Sequence, residues 1–144
     1  MNRVPAEQLE YPGDGLYYLN GSPFTGIAYR LNSNGTLRSE LEYRQGLRWG
    51  MSKEWYGPEQ PKVEAPYFKG VLHGRAREWH RNGQVAEDGE YEYGIAHWKQ
   101  EWDENGTLTD EYRLSETEPD FETLRHYREL YGRDSSAPPR RDNN

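Results

Sequence analysis

The chain has no cysteine, 2 methionines and 3 phenylalanines among its 144 residues. Without thiols it can form no disulfide and perform no thiolate chemistry. It also has no long apolar run, so no transmembrane helix is expected. Residues 1 to 10 carry no apolar signal core, and the expected location is cytoplasmic. Hydrophobic residues make up 33% and the mean hydropathy is -1.24, low for a thick globular core. Rings are plentiful instead: aromatics are 14%, with 5 Trp and 12 Tyr. Disordered chains are poor in aromatics. A thin sheet covered by large amphipathic rings fits this composition better.

The aromatics recur at a fixed interval. Moving back 24 positions places Tyr43, Gly46, Gly50, Glu54 and Trp55 on Tyr67, Gly70, Gly74, Glu78 and Trp79. Moving forward places Tyr91, Gly94 and His97 on Tyr67, Gly70 and His73. One residue is then lost, and Glu101, Trp102, Asn105, Gly106 and Leu108 match Glu78, Trp79, Asn82, Gly83 and Val85. A degenerate first copy runs from Gly21 through Gly26 and Leu31 to Asn34, Gly35 and Leu37. Such a period implies stacked units of supersecondary structure.

This pattern of Tyr, two spaced glycines, Glu-Trp and Asn-Gly resembles the variant MORN repeat common in bacteria, over roughly residues 17 to 114. Two copies depart from it. The second has Gly57 to Pro61 where Asn-Gly belongs, and the fourth has Trp98 in place of a glycine. The resemblance implies an antitoxin or immunity protein of the YwqK-like group. Its partner would then be a cognate toxin, and the free chain a monomer.

Asn-Gly between two strand patterns signals a hairpin, because both residues tolerate positive φ. Each repeat therefore reads as two strands around such a turn. Alternate residues share a face. Met51, Lys53 and Trp55 fall together, as do Arg75, Arg77 and Trp79, and Trp98, Gln100 and Trp102. A two-residue loop would set Trp79 against Ala86. A three-residue loop closed by a left-handed glycine sets it against Val85. Burial favours the latter, since each large side chain removed from water contributes roughly 1.5–3 kcal/mol. The expected fold is all-β: an elongated antiparallel meander of MORN-type hairpins with one aromatic and one carboxylate face. Trp55, Trp79, Trp102, Tyr43, Tyr67 and Tyr91 are its expected repeat core.

The ends read differently. Residues 1 to 16 are expected to be an irregular lead-in. From 115 to 132 the pattern predicts a capping helix: Ser115 and Glu118 form a capping-box spacing, Pro119 suits a helix start, and Phe121, Leu124, Tyr127 and Tyr131 share a face. Residues 133 to 144 read as a disordered tail.

No catalytic constellation, cofactor motif or metal cluster stands out, and the expectation is a non-enzymatic binding protein. His73 and His97 recur one repeat apart, but lack further ligands at metal spacing. Glu54, Glu78 and Glu101 form a ladder that reads as a solvated face. Arg75, Arg77 and Lys53 beside the rings could stack bases, yet the net charge of -7 opposes a polyanion. The alternative reading is a MORN-type structural scaffold or a membrane-associated assembly module; membrane attachment needs a basic face or lipid anchor, and neither is evident. The charge itself is uneven. Residues 87 to 122 hold thirteen acids against Lys99 and Arg113, while the rest of the chain is net positive. Glu87, Asp88, Glu90, Glu92, Glu101, Asp103, Glu104, Asp110 and Glu111 are therefore the expected surface for a basic, nuclease-like protein partner, reached through electrostatic steering.

Overall fold

The computed structural model describes residues 2–132, so the tail at 133–144 lies outside the described residues. The chain is mostly β. Strands β1 (Arg3–Pro5), β2 (Tyr18–Leu19), β3 (Ser22–Pro23), β4 (Gly26–Leu31), β5 (Leu37–Arg44), β6 (Leu47–Gly57) and β7 (Gln60–Phe68) come first. They are followed by β8 (Val71–Leu72), β9 (Gly74–Trp79), β10 (Val85–Glu92), β11 (Ile95–Trp102), β12 (Leu108–Arg113) and helix α1 (Pro119–Tyr131). One large mixed sheet runs in the order β1-β4-β5-β6-β7-β9-β10-β11-β12, with β8 on β7. Strands β2 and β3 form a separate small hairpin. Among the described residues, no helix is long and apolar enough to cross a membrane.

The hairpin tips follow the three-residue geometry. At Gly35, Gly83 and Gly106 the amide closes a turn onto Asn32, His80 and Asp103, and φ is +86, +90 and +85. Trp79 stands opposite Val85, Trp102 opposite Leu108, and Leu31 opposite Leu37. The opposite ends of the strands turn through Gln45-Gly46 and Tyr93-Gly94, both residues at positive φ. That is the mirror-image turn whose twist matches paired strands.

What the parity argument missed is the residue after each tip pair. The register shifts between Val85 and Glu87, so that Glu87 faces Glu78 and Asp88 faces Arg77. Equivalent shifts follow Leu31 and Trp102. A one-residue bulge moves every later side chain to the other face. The expected division into an aromatic and a carboxylate face is therefore corrected. Tyr43, Tyr67 and Tyr91 lie across the sheet from the face of Trp55, Trp79 and Trp102.

The packed centres also lie elsewhere than the tryptophans, which are half-buried. One centre is Val4, Phe24, Ala28 and Tyr43, with Ala6, Leu9, Tyr17, Leu19 and Leu41 against it. It exists because the first residues are not irregular, as expected, but form β1, parallel to β4. Gly26 makes this possible: an added Cβ would sit 2.3 Å from the Asn2 carbonyl oxygen, which accepts the Ile27 amide at 2.7 Å. The other lies around Phe68, 1% exposed, and Leu124 of the C-terminal helix is 0% exposed. Here Tyr93 of the β10–β11 turn meets Phe68 edge-on and His73, Tyr127 and Tyr131 at tilted angles. Helix α1 begins at Pro119 with Glu118 extended before it, so the Ser115 capping box does not form. A residue preceding proline is pushed out of the helical region.

Candidate interaction surface

Two neighbouring rows of cross-strand pairs share the sheet but not its face. On one face, Tyr29, Glu40, Lys53, Glu64, Arg77, Asp88, Gln100 and Glu111 stand abreast on successive strands. From Glu40 to Asp88 the signs alternate. Arg3 bonds Glu40 at 3.0 Å, and Arg75 holds Asp88 through two contacts of 2.6 Å while lying over Trp98. Opposite charges facing across strands stabilise a sheet.

The second row, on the other face, is Arg30, Ser39, Glu54, Val63, Glu78, Glu87, Glu101 and Asp110. Its last four members are all acids on adjacent strands. Among the described residues none of these four carboxylates, nor Glu54 further along the row, has an ion pair within 4.0 Å. Burial raises the pKa of Glu87, Glu78 and Glu101 raise it further, and Lys99 opposes the shift. Burial and the same three glutamates also raise Tyr91. Like charges directly opposite destabilise a sheet, so this row is an electrostatic cost to the fold.

Beside the row lies a trough floored by Ala28, Leu41, Ser52 and Ala65, then by Ala76 and Gly89. Tyr43, Tyr67 and Tyr91 line its far side. Its cavities measure about 280 Å³ around Arg30, Arg38 and Arg48 and about 210 Å³ around Glu78 and Glu87, and Glu54 borders both. The trough is thus basic at one end and acidic at the other.

The expected acidic set divides accordingly. Glu87, Glu101 and Asp110 come together in the unpaired row. Asp88 is neutralised by Arg75, and Glu111 accepts from Gln100 at 3.1 Å on the other face. Glu90 is buried, with the Arg75 guanidinium feeling its charge. Glu92 is buried between Arg128, at 2.6 and 2.8 Å, and His97 at 3.0 Å. Arg128 and His97 hold its pKa down at about 2 against the effect of burial. Asp103 caps its own turn through the Asn105 and Thr107 amides. Glu104 is exposed at the tip, where its carbonyl accepts from Asn82. Asp88, Glu90 and Glu92 are accordingly structural, and Glu54 and Glu78 join the surface. Their signal was present in the sequence as the glutamate repeating before each tryptophan. Both histidines lie near Glu92: His97 meets it at 3.0 Å, and its charge acts on His73, which accepts from the Tyr93 amide. Among the described residues no group of three or more His, Cys, Asp or Glu could hold a metal.

No protein-family model matches this chain, and no curated protein matches it. Solved structures similar to it include TarM, with 11% identity, 76% of this chain and 20% of that chain covered, and a TM-score of 0.37. Accessory secretory protein 1, 2 and 3 of Streptococcus pneumoniae matches with 13% identity, coverage of 78% and 19%, and a TM-score of 0.34. A TarM mutant of S. aureus in complex with fondaparinux, alpha-GlcNAc-glycerol and UDP matches with 9% identity, coverage of 74% and 19%, and a TM-score of 0.35. The chain spans about a fifth of the length of these structures. They correct one expectation: with TarM matched twice, the statement that the chain is not an enzyme is withdrawn. Likeness at this level carries no argument for any particular activity.

Proposed function

We propose that this chain is a protein-binding module of the antitoxin or immunity type, a meander of MORN-like hairpins that captures a basic partner. The observation that carries the reading is the contrast between the two rows. Where the sheet needs only to be stable, signs alternate from Glu40 to Asp88. In the other row Glu78, Glu87, Glu101 and Asp110 stand side by side with no ion pair within 4.0 Å among the described residues, and Lys99 alone opposes the charge at Glu87. A basic surface laid along that row supplies what the fold does not. It converts mutual repulsion into attraction, and it associates fast through electrostatic steering. A toxin with a positive, phosphate-binding cleft has the required surface.

The test asks whether a neighbouring reading frame encodes a basic, toxic polypeptide and, where one does, expresses the two together. Co-expression of the native chain should suppress that polypeptide's toxicity, and reversal of Glu78, Glu87 and Glu101 to Lys should abolish suppression. The association rate should fall steeply with salt, because exposed charges are screened beyond about 10 Å at 0.1 M ionic strength. An association rate indifferent both to salt and to the triple reversal would refute the reading.

A further inference from the structure

The basic end of the trough carries a second, separate feature. The hydroxyls of Ser39 and Ser52 have no hydrogen-bond partner among the described residues, although the residues are 3% and 6% exposed. Both line the cavity of about 280 Å³. An unpaired buried hydroxyl destabilises the fold, and alanine at either position would avoid that cost. Arg48 lies over the Tyr67 ring, 5.3 Å from its centroid, and its Nη1 donates to the Tyr67 hydroxyl at 3.4 Å. Burial disfavours its charge, but Tyr43 and Tyr67 more than offset this and raise its pKa. Burial also raises Tyr43, which keeps that hydroxyl protonated and able to donate. Arg30 and Arg38 stand exposed at the rim. None of the three arginines has an ion pair among the described residues.

The geometry points to a binding site for a small organic oxyanion at this end of the trough. The anionic group meets Arg48, Ser39 and Ser52 on the floor, and Arg30 and Arg38 close over it. Glu54, on the acidic border of the cavity, repels an anion but accepts from a hydroxyl or ammonium group. The ligand class is therefore an oxyanion that carries such donors at its other end. Sugar phosphates and amino acids both have this chemistry. The cavity sits near the lower end of ligand-pocket volumes, which suits a molecule of that size. This site lies beyond the protein-binding reading and uses none of the Glu78, Glu87 and Glu101 carboxylates.

Titration of the full chain with inorganic phosphate, D-glucose 6-phosphate and L-glutamate, followed by amide chemical shifts, tests it. Saturable shifts are expected at Ser39, Ser52, Tyr43 and Tyr67, with a dissociation constant near 1 mM or tighter for the best organic probe, about 4 kcal/mol of binding. Tighter binding of the sugar phosphate assigns a phosphoryl ligand, and tighter binding of glutamate a carboxylate. The Arg30→Gln/Arg38→Gln double variant, altered at the rim alone, should weaken binding about tenfold with an unchanged melting temperature. Joint Ser39→Ala and Ser52→Ala changes should weaken it about threefold while leaving stability equal or higher, which a merely structural serine would not do. Arg44→Gln, a change in an exposed side chain over Trp49, should have no effect. Absence of saturable binding for all three probes, or binding that survives both double variants unchanged, overturns the proposal.

Discussion

Replacing Glu92 by Gln tests how the helix is tied to the sheet. Glu92 sits on β10, 5% exposed, and receives both guanidinium contacts of Arg128 from α1 together with His97. Its pKa is lowered from 4.5 to about 2. A carboxyl group held down in the folded state contributes stability above its unfolded pKa, and the contribution fades as pH falls through the folded value. With 1.36 kcal/mol per unit, the shift corresponds to about 3 kcal/mol at pH 7. Removing one partner of a buried pair costs a comparable 3–5 kcal/mol, because the other charge is left uncompensated. Glu92→Gln is therefore expected to cost about 3 kcal/mol in urea unfolding at pH 7. The loss should be nearly the same at pH 6 and should shrink between the unfolded and folded pKa values. A cost under about 1 kcal/mol at pH 7, or one equally large at pH 2.5, would refute the reasoning.

The carboxylate row should behave in the opposite sense. Because the Glu87 pKa is raised, its charge costs stability once pH exceeds the unfolded value. Glu87→Gln should then stabilise the free protein by roughly 0.2–1 kcal/mol at pH 7, with a smaller gain at pH 4, in thermal melts at both pH values, while slowing capture of a basic partner. Phe68→Ala should cost about 3–5 kcal/mol, as for fully buried aromatics. Trp79→Ala, at a half-buried hairpin end, should cost clearly less, and the reverse order in denaturant unfolding would restore the tryptophans as the core.

Several features were legible in the sequence because they depend on neighbouring residues alone. Asn-Gly pairs spaced by the repeat set the three-residue tips, since glycine takes the left-handed conformation without strain. The spacing of Phe121, Leu124, Tyr127 and Tyr131 marked α1, and Leu124 is its buried residue. Other features depended on contacts between distant segments. The single-residue shift after each tip cannot be read from an alternating pattern, yet it decides which side chains share a face. It placed Glu87 between Glu78 and Glu101, and it gave Asp88 to Arg75. Pairing of Arg3–Pro5 with β4 needed the open space at Gly26, and the charge of Glu92 needed an arginine 36 residues away. The sequence by itself determined the repeat, its turns and an excess of acid near the C-terminal end. Tertiary structure alone decided which acids were neutralised and which were left in a row, because charges are paired by register and packing, not by order along the chain.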